Sequence, residues 1–153
     1  YHRFNWNTLI KKRMRTLDHV GIFIMIAGSF TPIALLVIPW PDGLFLLILI
    51  WCVALFGATQ VIFFPNINRL LRAGIYLSMG LISLPYFSTM FEVFSVANSV
   101  LIILSAFLYV IGAVGYGLKY PKLSPKFFGY HEVFHSLVSV AAILHFIVIY
   151  SII

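Results

Sequence analysis

Long uninterrupted apolar runs constrain this chain more than any other feature. Residues 46–55 carry no charged side chain and show no alternation of apolar with polar positions. Strands of a membrane barrel alternate in this way over about 10 residues, so such a run predicts a helix. Of the 153 residues, 62% are hydrophobic and 9% are charged, whereas a soluble domain is about 25% charged. The sequence therefore predicts an all-α fold, a polytopic transmembrane helix bundle.

Five segments are long enough to cross a membrane, because a hydrocarbon core of about 30 Å requires about 20 apolar residues. We expect spans at about residues 17–38, 44–64, 70–90, 94–118 and 131–153. Proline-containing turn signals at Pro39–Gly43 and Pro65-Asn66 separate the first three. The connecting loops are short, so residues 1–153 are expected to form a single membrane domain. Most phenylalanine and tyrosine side chains are expected to face lipid or the membrane interface.

All ten lysines and arginines fall in three loops that alternating spans place on one side of the membrane. They are Arg3, Lys11, Lys12, Arg13 and Arg15 before the first span, Arg69 and Arg72 after the second, and Lys119, Lys122 and Lys126 after the fourth. Because such residues concentrate in cytoplasmic loops, we expect these loops in the cytoplasm and the C-terminus outside it. No basic surface is left for nucleic acid, so membrane lipids are the expected partners.

Histidines gather at the same side as the positive charges. His131 and His135 are four residues apart, so they share one helix face and two imidazoles could hold one zinc ion. The alternative is a pair of histidines at the water boundary. A third nitrogen from His2 would leave a fourth position for water, as in catalytic zinc sites. Asp18 could bind or deprotonate that water; alternatively, it caps the start of its helix through the helix dipole.

Residues 131–135 also match H-E-x-x-H, a zinc protease motif. In that interpretation Glu132 is the base of an intramembrane protease; otherwise it is a solvated residue favoured by the helix dipole. Asp18 competes as the acid on the same side, and spans two to four contain no acid for a third ligand. His19 points about 100° from Asp18 on a helix, and His145 lies about 15 Å further along the last helix. Neither is therefore expected at the same metal.

Three motifs now carry a resemblance to a known family. Residues 17–32 resemble the signature of the hemolysin III family, which is grouped with the adiponectin and progestin receptors. Residues 131–135, followed by Ala141–His145, resemble the last-helix signature of that family, and Tyr1-His2 resembles the end of a motif on its second helix. The resemblance implies a seven-helix fold, of which this chain would hold helices three to seven. The short loops and the Asp-His pair resemble the bacterial branch, which implies a bacterial inner membrane.

The resemblance also implies a site and an activity. Zinc would be held by His2, His131 and His135 toward the cytoplasmic side, and Asp18 would lie near a zinc-bound water. The receptor branch is associated with zinc-dependent hydrolysis of ceramide-type amides, which implies a lipid amide hydrolase. The alternative is a membrane sensor or pore-forming cytolysin without enzymatic activity, in which the zinc is structural.

Overall fold

The computed structural model describes residues 7–121 and 129–153, and these residues form helices and turns without strands. The helices are α1 (Thr8–Leu36), α2 (Asp42–Phe63), α3 (Arg69–Leu81), α4 (Phe87–Val93), α5 (Val96–Leu118) and α6 (Tyr130–Tyr150), with a 3₁₀ turn at Leu84–Tyr86 between α3 and α4. Five stretches of this described part are long and apolar enough to cross a membrane, α3 and α4 forming one of them together. The prediction of an all-α membrane bundle is confirmed.

The first helix begins earlier than the apolar pattern alone indicates. The Asn7 side chain accepts the backbone N–H of Leu9 at 3.3 Å and caps the helix start. Lysine, arginine and methionine are good helix formers, so the basic segment 11–15 is helical where the sequence predicts a loop. As a result, α1 carries its positive charges on a rigid element directly before Asp18.

The third span is interrupted near its middle. Helix α3 ends at Leu81, and the Ser83 hydroxyl donates a hydrogen bond to the Gly80 carbonyl at 2.7 Å. Pro85 has no backbone N–H and disfavours helical geometry in the residue before it, so the chain continues as a 3₁₀ turn and then as α4. The interruption lines a cavity inside the bundle.

Helix α1 packs against three neighbours: α2, α3 and α6. Its buried side chains recur every three or four residues, and they are His19, Ile22, Phe23, Ile26, Ala27, Phe30, Ile33 and Ala34. Helices α1 and α2 approach closely at Gly57, where an added Cβ would lie 2.3 Å from the Phe23 ring. Small residues at such contacts allow tight helix packing in membranes. This packing fixes α1 in the bundle, and its contact with α6 positions the candidate site.

Candidate metal centre

Three side chains from two helices converge at the basic end of the bundle, where α1 begins and α6 begins. Asp18 of α1 places Oδ2 at 2.7 Å from the His131 Nε2 and Oδ1 at 3.1 Å from the His135 Nε2. The two Nε2 atoms are themselves 3.1 Å apart. Among the described residues, these three form a group that could hold a metal ion.

The distances and the donor types fit zinc. Zinc–nitrogen bonds of about 2.0–2.1 Å in a tetrahedron place neighbouring ligand atoms about 3.3 Å apart, close to the 2.7–3.1 Å found here. Two imidazoles and one carboxylate are also a donor set that catalytic zinc sites use. The exposed fractions of the side chains are 24% for Asp18, 13% for His131 and 32% for His135. Water can therefore reach the group.

The start of α6 fixes the two histidines. The Glu132 carboxylate accepts the backbone N–H of Gly129 at 3.0 Å, which satisfies a donor at the helix start. The four-residue spacing then brings His131 and His135 to one face, as predicted. The carboxylate that meets these histidines in the described residues is Asp18, not Glu132. Glu132 thus caps the start of α6, and Asp18 supplies the carboxylate of the candidate metal group.

His19 supports the group rather than joining it. Its Nδ1 lies 2.8 Å from the Arg15 carbonyl and its Nε2 lies 3.0 Å from the Tyr116 hydroxyl. A carbonyl only accepts, so His19 donates through Nδ1, and its Nε2 accepts the Tyr116 proton. The His19 ring stacks on His131 with centroids 5.3 Å apart. This contact fixes the plane of one metal-ligand candidate, a role that the sequence did not indicate.

A layer of buried aromatic rings lies directly below the site. Tyr76, Tyr116 and Phe134 are all buried, and Phe134 has centroid distances of 5.5 Å to Tyr76 and 5.1 Å to Tyr116. The Tyr76 hydroxyl donates to the His19 carbonyl at 3.4 Å. These three side chains are exceptions to the expectation that most phenylalanine and tyrosine residues face lipid or the membrane interface. Hydropathy cannot identify them, because buried and lipid-facing rings read alike in a sequence.

An apolar cavity of about 300 Å³ lies on the far side of this aromatic layer. Tyr76 and Phe134 belong to both the layer and the cavity wall, and Phe134 also contacts the His135 ring at 5.9 Å. His145 also lines the cavity and is not a member of the candidate metal group. Its Nδ1 lies 3.1 Å from the Ala141 carbonyl. In the described part of the chain, the aromatic layer therefore lies between the candidate metal group and an apolar space.

The site contains three of the four residues predicted from the sequence. Asp18, His131 and His135 come together across helices far apart in the chain. His2 lies outside the described residues, so its assignment as a ligand stays a prediction.

Fold and site together define a polytopic helical membrane protein with a candidate metal centre at one end of the bundle. A family model described as haemolysin-III related matches residues 1–146. The chain therefore belongs to the haemolysin-III-related family, and the family predicted from its motifs is confirmed.

Curated relatives agree with this assignment. The chain is 31% identical over 128 residues to a hemolysin-3 homolog of Bacillus subtilis, covering 84% of this chain and 57% of the relative. It is 31% identical over 107 residues to hemolysin-3 of Bacillus cereus, covering 69% and 48%. It is 32% identical over 145 residues to the ADIPOR-like receptor IZH2 of Saccharomyces cerevisiae, covering 84% and 46%. The chain thus spans about half the length of these relatives. No solved structure matches it.

Proposed function

We propose that this chain carries a zinc-dependent hydrolase site that cleaves the amide bond of a membrane lipid. The observation that supports the proposal most is the convergence of the Asp18 carboxylate on the Nε2 atoms of His131 and His135. In this proposal His131 and His135 hold zinc together with His2, and Asp18 handles the proton of the attacking water. The basic end of the bundle faces the cytoplasm, and the C-terminus lies outside, in a bacterial inner membrane.

Zinc, when bound, supplies Lewis-acid activation of water near neutral pH. The chain's own residues orient that chemistry and move the proton. Asp18 accepts a proton as water adds to the amide carbon, and it returns a proton to the nitrogen as the carbon–nitrogen bond breaks. The products are a carboxylate and a protonated amine, which holds both protons of the water. His19, stacked on His131 and hydrogen-bonded to Tyr116, keeps the imidazole plane in place during these steps.

The apolar cavity supports a lipid substrate. Its volume of about 300 Å³ falls at the lower end of the range of about 300–1,000 Å³ for ligand pockets. The lining is almost entirely apolar, and Phe134 connects it to the ring of His135. An acyl chain in this cavity would place its amide near the aromatic layer and the candidate metal group.

The test measures turnover of a fluorescent short-chain ceramide by the purified full-length protein in zinc-containing detergent. Asp18→Asn keeps the shape of the side chain but removes the base, so we expect turnover to fall about 10²- to 10⁴-fold. Glu132→Gln is the matched control, because a glutamine still accepts the Gly129 N–H that the carboxylate accepts. We expect that control to retain turnover within about threefold.

Three outcomes contradict the proposal. Full turnover in Asp18→Asn would show that Asp18 is not the base. A large loss of turnover in Glu132→Gln would favour Glu132 as the base, as in zinc proteases. Zinc binding without turnover of any lipid amide supports the alternative of a sensor or cytolysin with a structural metal.

A further inference from the structure

A second pocket at the basic end of the bundle adjoins the candidate metal group but has a different character. It has a volume of about 510 Å³ and is lined by four cationic side chains: Lys11, Lys12, Arg15 and Arg69. His131 also lines it, so the pocket and the metal group share one side chain. We call this space the basic pocket.

The positions of these cations along the chain are set by two helices. Lys11, Lys12 and Arg15 lie on one face of α1, because residues three and four apart are neighbours on a helix. Arg69 comes from the first residue of α3, and its Nη1 donates to the Tyr130 hydroxyl at 3.4 Å. Like charges at this spacing repel one another. Two helices therefore bring together four cations at an electrostatic cost.

The described lining of the basic pocket includes no carboxylate. The whole chain contains four acidic residues: Asp18, Asp42, Glu92 and Glu132. Asp42 starts α2 and Glu92 lies in α4, both at the opposite end of the bundle. Asp18 faces the two histidines and Glu132 accepts the N–H of Gly129. None of the four acids lines the basic pocket.

A buried arginine adds to the positive field. Arg72 is 2% exposed and interacts electrostatically with His19 and Tyr116, which both line the basic pocket. Its Nη2 donates to the Pro65 carbonyl at 3.2 Å, while its Nε has no hydrogen-bond partner in the described part of the chain. A guanidinium is always charged in proteins. The wall of the basic pocket therefore favours an anion.

We propose that the basic pocket binds a phosphate group beside the candidate metal centre. A phosphate monoester carries a charge of about −1.5 to −2 at pH 7 and three strong acceptor oxygens. The guanidinium group of arginine and the ammonium group of lysine are the usual hydrogen-bond donors to such oxygens. A phosphorylated lipid headgroup and free inorganic phosphate share this chemistry. The inference goes beyond the proposed hydrolase, because it requires no metal and no turnover.

Binding is measured with the full-length protein in a zwitterionic or neutral detergent at about 0.15 M salt, where exposed charges are screened beyond about 8 Å. The probes are dioctanoyl phosphatidic acid, dioctanoylglycerol with the same chains but no phosphate, and inorganic phosphate. We expect phosphatidic acid to bind at least about tenfold more tightly than dioctanoylglycerol. If inorganic phosphate binds as tightly as phosphatidic acid, the source is free phosphate; if it binds much more weakly, the source is a lipid.

A matched pair of double variants separates the basic pocket from general surface charge. Lys11→Gln/Arg15→Gln removes one lysine and one arginine from the pocket, and Lys119→Gln/Arg13→Gln removes the same charges from residues that do not line it. We expect affinity for phosphatidic acid to fall at least about tenfold in the first and about twofold or less in the second. Lys12→Gln/Arg69→Gln provides an independent pocket variant if the first does not fold.

Two results overturn the proposal: equal weakening in the pocket and control variants, or equal binding of dioctanoylglycerol. Its failure is distinct from failure of the proposed hydrolase. His135→Ala removes a metal-ligand candidate that does not line the basic pocket. That variant is expected to lose zinc while retaining phosphate binding.

Discussion

The hydroxyl of Tyr116 offers a sharp test of how the candidate metal centre is supported. Tyr116→Phe removes one oxygen atom and leaves the buried Nε2 of His19 without its donor, which lies at 3.0 Å. Leaving a buried polar atom unpaired costs about 1–3 kcal/mol. Because His19 stacks on His131, a more mobile His19 ring also makes the His131 ring more mobile. Loss of a contact that orients a metal ligand lowers metal affinity about 10- to 100-fold.

The assay combines thermal unfolding in detergent with zinc affinity from competition with a chelator. Tyr130→Phe is the control, since its hydroxyl takes part in a longer hydrogen bond of 3.4 Å on a half-buried ring. We expect Tyr116→Phe to lower both the melting temperature and the zinc affinity, and Tyr130→Phe to change each much less. Unchanged zinc affinity in Tyr116→Phe would show that Tyr116 does not position His131 through His19.

Three further predictions follow from the same structure. The double variant His131→Ala/His135→Ala is expected to lower zinc content to background in metal analysis; unchanged content would refute the ligand assignment. Gly57→Ala is expected to lower the melting temperature by forcing α1 and α2 apart, at a cost of about 1–3 kcal/mol, whereas Gly28→Ala, with open space around its Cβ position, should leave it unchanged or raise it. Ala106→Phe is expected to fill the apolar cavity and reduce ceramide turnover while zinc content stays at the level of the parent protein; normal turnover would exclude the cavity as the acyl site.

Apolar runs determine most of this fold, and the sequence therefore predicts it well. A lipid-facing helix must be apolar for about 20 residues whatever its neighbours are, so five spanning stretches are visible in the sequence. The interruption of the third span is not, because the stretch that contains Ser83 and Pro85 is still apolar enough for a span, although its mean hydropathy of 1.3 is the lowest of the five. A window average records composition, whereas the break depends on a missing N–H at one position.

The candidate metal centre, too, is predicted from the sequence in part only. The spacing of His131 and His135 within one helix predicts their shared face, and alternating spans predict that Asp18 lies at the same end of the bundle. The hydrogen bond between His19 and Tyr116 joins residues 97 positions apart and depends on how α3 and α6, which both pack against α1 and α5, position these two helices. Such contacts arise from packing between helices, which no periodicity within one helix encodes.

The two sites at the basic end of the bundle are related by charge. Asp18 is the single carboxylate among the described members of the candidate metal group, so a divalent ion held there with neutral imidazoles keeps a net positive charge. The neighbouring basic pocket adds four cations. Like charges close together raise the free energy of the folded state, and an anion bound between them lowers it. A lipid with a phosphate monoester headgroup matches this field, whereas a headgroup that also carries a quaternary ammonium places a cation among cations. We therefore expect phosphatidic acid to compete for the basic pocket more effectively than phosphatidylcholine with the same chains, and equal competition by the two lipids would show that the field does not select the headgroup.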